Sequence, residues 1–514
     1  MGNITRRSFV KSMGAVGAGM LTVASTSASA LALDSKDVKY DEEYDVVIIG
    51  SGYAGLSAGI TAAEKGDKVL VIEKMGRVGG NSVINGGLLA VVGTPKQKAE
   101  GVTDNMEIYL SDSLKAGKSI NHVENLRVIV ERGNDALQLV ERCGAKFYEK
   151  LSHLGGHSVP RTYLAANGSG SGIVLPMFKH FKTLKKATLK KRTRFDDFIM
   201  DESGRVVGVS IREKCRFDKK SKDDARENKT GKRKNIRAKK GVIMASGGFC
   251  RDVFFRNMQD PRISNDVDST NQPGATAEVM MKAFQAGAVP VHVSRIQFGP
   301  WACPDEKAFG AASNFNINAT FRYGISVDPK TGKRYMNELA DRLTRATAMF
   351  KLIDGDTKNY PINICDQTAV DKIIPEIAEK AVKSGVVKKF DSLDALAAEY
   401  KIPAAALKKQ IADYNGFVKA GKDSEQGKPV DKADGVQILK APFYATRGVP
   451  KLHHTMGGLK INTKAQVISS DTKEPIPGLY AAGEITGGTH GASRLGSCSI
   501  PDCLVFGMVA GENI

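Results

Sequence analysis

The chain has 514 residues, of which 41% are hydrophobic and 25% are charged, and its formal net charge is +19. This length suits about two to four domains with substantial cores, and the composition is typical of a globular protein. The seven cysteines are scattered and show no CxxC or CxxCH spacing. Their scatter argues against a disulfide framework, and the absence of both motifs argues against a haem-attachment site and a zinc or iron–sulfur site. No metal is therefore expected.

The first predicted element is an export signal. Thr5–Lys11 reads TRRSFVK, a twin-arginine pattern, and an apolar stretch rich in glycine and alanine follows. Small residues around Ala30 fit a signal-peptidase site. The stretch is too short and too rich in glycine for a membrane anchor. The pattern predicts a twin-arginine signal peptide at 1–32, export to the periplasm, and no membrane span in the mature chain.

The next elements predict a nucleotide-binding unit. Tyr44–Lys74 reads as a strand, a glycine turn, a helix and a second strand. Gly50, Gly52 and Gly55 would supply the turn, the close approach of the backbone to a pyrophosphate, and the packing of the helix on the strand. Glu73 ends the second strand, where a carboxylate can bind ribose hydroxyls. The complete unit predicts a dinucleotide whose phosphates lie at the helix N-terminus.

Further glycine-rich segments favour FAD over NAD. The loop GRVGGNSVINGG follows the ribose-binding strand directly, which is unusual in NAD domains. Another buried strand, IMASGGF, ends in glycines, and PGLYAAGEITGG places Glu484 where a flavin ribityl chain can pass. Since these segments lie far apart in the chain, an insertion is expected to interrupt one nucleotide-binding fold.

Much of the positive charge lies in residues 179–191 and 214–240. The second run mixes signs and follows the strand-like RVVGVSIRE, a pattern typical of a solvated β-hairpin at about 205–240. A docking face for an acidic partner protein is the alternative, because surface charge raises encounter rates. No nucleic acid is expected as a partner of an exported protein.

These segments together resemble the flavoprotein subunit of the fumarate reductase/succinate dehydrogenase family. The similarity is greatest to its soluble, exported flavocytochrome c branch of fumarate, urocanate and methacrylate reductases. It covers residues 40–514 and rests on the glycine motif and on GGNS, SGGF, RYMNELADR, HHTMGG and AAGEITGGTHGASRLG. It implies an α/β fold, in which a Rossmann-like FAD-binding domain (40–294 and 451–514) is interrupted by an α+β capping domain (295–450).

The resemblance implies that FAD is bound noncovalently. Asn81 and Ser82 stand near the position where covalent relatives carry a flavin-linked histidine, and His454 matches a residue at the pyrimidine end of the flavin. The positions expected to bind FAD are Gly50, Gly52, Ala54, Gly55, Glu73, Gly80, Asn81, Ser82, Gly86, Gly87, His454, Glu484, Ser499 and Ile500.

The implied reaction reduces a carbon–carbon double bond conjugated to a carboxylate, with hydride from flavin N5 and a proton from Arg342. Such a reaction needs cations on the carboxylate, stabilisation of developing charge, and a proton donor that faces the flavin. His453 matches a histidine that binds the carboxylate, and Arg494 matches an arginine that can clamp it bidentately. Arg322 matches the second arginine of the family's proton relay.

Arg342, Arg494 and His453 each also have a structural alternative. Arg342 can pair with Glu338 one helical turn earlier. Arg494 can belong to a structural ion pair, and His453 can be a core histidine. Their joint occurrence in register within the family motifs favours the catalytic interpretation.

Two departures from the family pattern bear on the reaction. The relay glutamate is replaced by Ala319 or Asn318, so the relay to Arg342 is incomplete in the sequence. Fumarate reductases have a histidine for the second carboxylate where IQFGPW places Gly299, with Phe298 and Trp301 nearby.

An unpaired buried carboxylate costs several kcal/mol, so the second departure favours a monocarboxylate such as acrylate, methacrylate, crotonate or cinnamate. Fumarate and urocanate remain alternatives. His157, in GGHSVPR, is either a substrate contact or a loop histidine.

Electrons must come from another protein, because the chain has neither a haem motif nor a second GxGxxG. A separate c-type cytochrome is the expected donor, in anaerobic respiration. Two other functions remain open: an FAD-dependent oxidase or dehydrogenase, and a flavin-binding electron-transfer subunit without a substrate of its own.

Overall fold

The structure is a computed structural model that describes residues 32–218, 228–261, 263, 267–354, 359–430 and 435–514. The predicted signal peptide lies outside these ranges except for Ala32. Within the described ranges, no helix has the length and hydropathy needed to cross a membrane.

The described strands and helices follow in chain order. The strands are β1 Leu33–Asp34, β2 Glu42–Ile49, β3 Val69–Glu73, β4 Leu88–Ala90, β5 Thr162–Leu164, β6 Ala187–Lys191, β7 Arg194–Met200, β8 Val206–Glu213, β9 Lys232–Met244, β10 Pro290–Val291, β11 Ile296–Gly299, β12 Ile325–Val327, β13 Ile362–Asp366, β14 Lys388–Phe390, β15 Phe443–Arg447, β16 Lys451–Thr455, β17 Gly458–Leu459, β18 Gln466–Ile468 and β19 Pro475–Ala481. The α-helices are α1 Tyr53–Glu64, α2 Gly80–Ile84, α3 Pro95–Ala99, α4 Met106–Ala116, α5 Val123–Arg142, α6 Ser171–Phe181, α7 Val253–Gln259, α8 Glu278–Gln285, α9 Gly310–Phe315, α10 Phe321–Tyr323, α11 Arg342–Ile353, α12 Gln367–Val370, α13 Pro375–Lys383, α14 Leu393–Tyr400, α15 Ala404–Ala420 and α16 Ser499–Asn513.

A nine-stranded sheet organises the nucleotide-binding part. Its main order is β1-β7-β8-β9-β2-β3-β6, and β19 pairs with both β9 and β18. Strands β9, β2, β3 and β6 run parallel, and β3 is buried along its whole length, as is typical of parallel strands. Because β19 adds in parallel to the end of β9, segments from both ends of the chain share one sheet.

The C-terminal helix α16 packs tightly along α1. A Cβ atom at Gly507 would lie 2.5 Å from the carbonyl oxygen of Ala54, and one at Gly511 would lie 2.7 Å from that of Ala58. The Ser57 hydroxyl also donates a hydrogen bond to the Leu504 carbonyl oxygen at 2.7 Å. The end of the chain therefore completes the layer on which the glycine turn rests.

The inserted segment has its own antiparallel sheet, in the order β12-β13-β15-β14. An apolar core joins this sheet to α14 and α15. The chain breaks between these two helices, because Lys401 adopts a positive φ of 56° and Pro403 follows. The segment leaves and returns through β11 and β16, which pair antiparallel.

The basic run contains a long antiparallel pair, β8 and β9, whose register runs from Gly208↔Arg237 to Glu213↔Lys232. The charge of Lys234 is neutralised within the sheet, because its Nζ lies 2.7 Å from Glu42 and 3.0 Å from Glu213. The connecting residues 219–227 lie outside the described ranges.

Gly55 gives the first test of this packing. A Cβ at Gly55 would lie 2.0 Å from the carbonyl oxygen of Gly50, so Gly55→Ala must force α1 away from the turn. We expect a loss of about 2 kcal/mol in the free energy of unfolding and lower FAD occupancy, measured by thermal unfolding and by flavin absorbance. The matched control is Gly416→Ala, at an exposed position of α15 with open space around it, which should stabilise the protein by about 0.5–1 kcal/mol. Equal effects of both substitutions would contradict the packing argument.

Candidate functional site

A first cavity of about 840 Å³ lies where β2 and β3 end. The glycine turn forms its floor: Gly50 has a φ of 108°, and a Cβ there would lie 2.3 Å from the Ala245 carbonyl oxygen. The predicted cofactor positions that line it are Gly50, Gly52, Ala54, Glu73, Gly80, Asn81, Ser82 and Glu484.

Glu73 is buried at the edge of this cavity. Its carboxylate accepts a hydrogen bond from the Ser51 hydroxyl at 2.5 Å and another from the Met75 amide at 2.8 Å. Burial raises the pKa of Glu73. A helix N-terminus with exposed glycine backbone beside a fixed carboxylate fits the pyrophosphate and ribose of a dinucleotide.

A second cavity of about 800 Å³ adjoins the first, and we call it the reaction cavity. The two share Tyr53, Asn81, Ser82, Glu484 and Cys503 in their walls. The reaction cavity is also lined by Gly86, Ser499, Ile500 and His454, and by Arg342, His453 and Arg494. The structure thus brings together three side chains from the inserted segment, its return strand and the last loop before α16.

Arg342 is the first residue of α11 and donates a hydrogen bond from Nη1 to the Gln297 Oε1 at 2.8 Å. The structural alternative for Arg342 is wrong, because Glu338 pairs instead with Arg334 at 2.7 Å. Burial lowers the pKa of Arg342 well below its ordinary value, and the charges of Arg494 and Arg345 lower it further.

Arg494 is 5% exposed, and its NH1 donates to the Leu495 carbonyl oxygen at 3.0 Å. Its Nε has no hydrogen-bond partner among the described residues. Burial lowers the pKa of Arg494. In the part of the chain that the structure describes, neither Arg342 nor Arg494 forms an ion pair. Since an unpaired buried charge is costly, this arrangement is typical of an anion-binding site.

The adjacent histidines on β16 have different partners. His453 Nδ1 shares a hydrogen bond of 2.8 Å with the Thr270 hydroxyl, which fixes the ring and leaves Nε2 for another ligand. His454 Nδ1 lies 3.3 Å from Glu484 Oε1. Burial lowers the pKa of both histidines well below the ordinary value, so both are neutral, and burial raises the pKa of Glu484 to about 7.

Residues 45–500 match the family model described as FAD binding domain. The chain belongs to the FAD binding domain family. This membership confirms FAD as the cofactor and an FAD-dependent oxidoreductase as the class of enzyme. The α/β fold is confirmed by the structure of the open conformation of a flavocytochrome c3 fumarate reductase. It has a TM-score of 0.72 and 30% identity, and the match covers 92% of this chain and 78% of that one.

Curated relatives of this flavoprotein confirm the predicted family. An acrylate reductase flavoprotein subunit of Shewanella woodyi is 47% identical, over 98% of this chain and 97% of its own length. A urocanate reductase of Eggerthella lenta is 33% identical, over 92% and 74%. A fumarate reductase (cytochrome) of Shewanella frigidimarina is 32% identical, over 91% and 76%.

Sequence reasoning missed Gln297 in this flavoprotein. Its Oε1 accepts from Arg342, while its Nε2 donates to the Ser493 hydroxyl and the Arg494 carbonyl oxygen, both at 2.9 Å. One amide therefore fixes the distance between α11 and the Arg494 loop. A signal was present in IQFGPW, where Gln297 lies two residues before Gly299 on the same strand.

The expectation that Phe298 lies at the reaction cavity is wrong. Phe298 packs edge-on against Phe350 of α11, with ring centroids 4.9 Å apart, because the β11–β16 register shifts between Gln297 and Phe298. Besides Tyr53 and the two histidines, the aromatic residues that line the cavity are Trp301, as expected, and Phe309.

Three predicted positions line neither the first cavity nor the reaction cavity. Arg322 stacks on the Tyr323 ring, with its guanidinium carbon 5.0 Å from the ring centroid. It lines a larger chamber of about 1730 Å³, which lies behind Arg342 and which we call the rear chamber. Gly55 and Gly87 line neither of the first two cavities, since both face neighbouring backbone at close approach.

His157 also lines the rear chamber, and not the reaction cavity. Its Nε2 bonds the Gly496 carbonyl oxygen at 2.8 Å, two residues after Arg494. Burial lowers its pKa to about 3, helped by the charge of Arg161, so the ring is neutral and donates this hydrogen bond. The contact supports the loop that carries Arg494.

The lowered pKa of His157 predicts how stability changes with pH. In the unfolded chain this histidine is protonated below pH about 6.5, whereas in the folded protein it is protonated only below pH about 3. Stability is therefore lost as pH falls through this window, by about 1.4 kcal/mol per pH unit from this group. His157→Gln retains a donor for Gly496 but cannot titrate, so thermal unfolding between about pH 6.5 and pH 5 should show a shallower loss. An unchanged slope would exclude a neutral buried His157.

Proposed function

We propose that this flavoprotein reduces the double bond of short α,β-unsaturated monocarboxylates, with acrylate as the representative substrate. One observation carries the proposal: two unpaired guanidinium groups and a neutral histidine meet in a cavity that adjoins the FAD site. A substrate carboxylate supplies the counter-charge that the described residues do not provide.

The proposed roles follow from position and charge. FAD, when bound in the first cavity, supplies the hydride. Arg494 holds the substrate carboxylate and stabilises the negative charge that develops on it. His453, held by Thr270, donates from Nε2 to the same carboxylate.

Arg342 is proposed as the acid that protonates the substrate carbon. Its lowered pKa weakens its hold on the proton, and Gln297 keeps the guanidinium directed at the cavity. We propose that residues 295–450 act as a capping domain that excludes water from this step. Arg322 remains a candidate for proton supply from the rear chamber, which it lines together with Arg342.

The substrate class is supported by two features. A relative at 47% identity is named an acrylate reductase flavoprotein subunit. In addition, Arg342 and Arg494 are the cationic side chains among the described residues that line the reaction cavity, and the charge of one acts directly on the other. This pair suits one carboxylate better than two separated ones.

Cofactor attachment, export and the electron donor complete the proposal. FAD is bound noncovalently, which is supported by the engagement of Asn81 with Asn271 at 2.7 Å and with the Gln272 amide at 2.9 Å. Export to the periplasm is supported by the twin-arginine pattern in Thr5–Lys11. A separate c-type cytochrome is the proposed electron donor, since relatives at 32% identity are named as cytochrome-type fumarate reductases while this chain carries no CxxCH.

The test is anaerobic oxidation of reduced methyl viologen by the FAD-loaded protein. Acrylate, methacrylate, crotonate, cinnamate, fumarate and urocanate are compared at equal concentration. We expect the highest kcat/KM with acrylate. No oxidation with any enoate would refute the reductase proposal and favour an electron-transfer subunit, whereas a preference for fumarate or urocanate would refute the monocarboxylate assignment.

A further inference from the structure

Trp301, the single tryptophan of the chain, lies in the wall between the reaction cavity and the rear chamber. The residue is 2% exposed, and it packs in an apolar cluster of the inserted segment with Phe309, Phe321, Met336 and Met349. The apolar cluster therefore fixes the indole, which presents a rigid surface to the reaction cavity.

The indole contacts two of the proposed catalytic residues. It stands edge-on to the His453 imidazole, with ring centroids 5.0 Å apart and planes at 81°. The guanidinium carbon of Arg342 lies 4.5 Å from the indole centroid, within the range of a cation–π interaction. One rigid side chain thus positions a carboxylate ligand and the proposed acid relative to each other.

The same ring fills the space beside Gly299. A Cβ at Gly299 would lie 3.1 Å from Trp301 Cζ2 and 3.4 Å from His453 Cβ, so a side chain there competes directly with the indole. Gly299 lies in β11 and has no positive φ that would by itself require glycine. A side chain at residue 299 would therefore press on the indole.

The remaining wall on this side is apolar. Phe309, Ile317 and Leu88 line the cavity together with Trp301, and none of them can pair with a charge. A second carboxylate directed at this wall would lose its hydration without gaining a cation. A long or aromatic substituent would meet the fixed indole.

We propose that Trp301 is the specificity-determining residue of the site, and that it restricts turnover to monocarboxylates with a short, unsubstituted end. The proposal rests on the enoate reductase function proposed above. In this proposal fumarate is disfavoured relative to acrylate because its second carboxylate would meet an apolar wall. Cinnamate is disfavoured because its ring would meet the indole.

Fluorescence tests the binding part without turnover. Because the chain has one tryptophan, the tryptophan emission of the FAD-loaded protein, excited selectively over its tyrosines, reports on Trp301 alone. We expect propionate to change this emission in a saturable way and succinate to leave it unchanged at the same concentration. Saturable binding of succinate at least as tight as that of propionate would overturn the proposal, whether or not any enoate is reduced.

Substitution tests the specificity part. Trp301→Leu opens the wall, so the ratio of kcat/KM for cinnamate to kcat/KM for acrylate should rise at least about tenfold. Phe321→Leu is the matched control: Phe321 belongs to the same apolar cluster and lines the rear chamber but not the reaction cavity. It should lower the melting temperature without changing the ratio.

The outcomes separate the two proposals. A wild-type protein that reduces no enoate refutes the proposed function. An active Trp301→Leu protein with an unchanged cinnamate-to-acrylate ratio refutes only the role of Trp301. If Trp301→Leu does not fold, Trp301→Phe replaces it, and a smaller rise in the same ratio is expected; no rise with Trp301→Phe also refutes the role.

Discussion

Arg342→Lys is expected to lower kcat for acrylate reduction about 10³-fold while FAD stays bound. Lysine keeps the charge but lacks the planar fork that reaches Gln297 and lies over the Trp301 ring. A compact, strongly hydrated ammonium is also harder to hold against an indole face. The measurement is steady-state oxidation of reduced methyl viologen, together with stopped-flow reduction of the flavin.

The rate of flavin reduction by viologen distinguishes a defect in substrate reduction from a loss of FAD. Viologen should reduce the flavin of Arg342→Lys at the wild-type rate, because Arg342 does not line the first cavity. Arg345→Lys, one helical turn later, is the matched control: it preserves the positive charge and a donor towards the Glu338 carbonyl oxygen, and it lies outside the reaction cavity. It should retain most of the activity. An Arg342→Lys protein within tenfold of wild type would exclude Arg342 as the proton donor.

The parts of this site that sequence predicts are those encoded locally. The glycine turn and Glu73 lie within one short βαβ segment whose spacing carries the physical requirement, so the dinucleotide site follows from the chain itself. Arg342, His453 and Arg494 were found because each stands in a motif of the family. The structure adds that all three line one cavity.

The parts that sequence did not predict depend on contacts between distant residues. Thr270 holds His453 across 183 positions, and Gln297 reaches Arg494 across 197, so no local pattern signals either contact. The orientation of Phe298 depends on a register shift that arises only when β11 meets β16. Arg322 was assigned by motif position alone, but its side chain stacks on Tyr323 in the rear chamber.

The residue at the family's relay-glutamate position is Ala319 or Asn318, and neither is an acid, so the proposed proton supply to Arg342 differs from the pattern expected for the family. Ala319 is fully buried and offers no acid. Arg345 is instead the basic residue of α11 that acts on Arg342, and burial lowers its own pKa to about 10. Both arginines line the rear chamber, so the proposed mechanism has a polar space behind Arg342 through which protons can reach it.

Arg494→Met is expected to abolish most activity and yet raise the stability of the substrate-free, FAD-loaded protein. The guanidinium is buried, forms no ion pair among the described residues, and leaves Nε unsatisfied. Methionine fills a similar length with apolar atoms and removes the uncompensated charge. We expect a gain of about 1–2 kcal/mol in the free energy of unfolding, and at least about a 10²-fold loss in kcat/KM, since a charge-assisted bidentate contact is lost.

Arg161→Met is the matched control, and it should change the free energy of unfolding in the opposite direction. Arg161 is equally buried but is paired with Asp104 at 2.9 Å and with Asp112 at 2.8 Å. Its removal leaves two buried carboxylates without a cationic partner and should destabilise the protein by about 3–5 kcal/mol. Urea unfolding of the two variants beside wild type decides between a functional and a structural arginine. If Arg494→Met were destabilised as strongly as Arg161→Met, Arg494 would be a structural cation, and the carboxylate site built on it would be refuted.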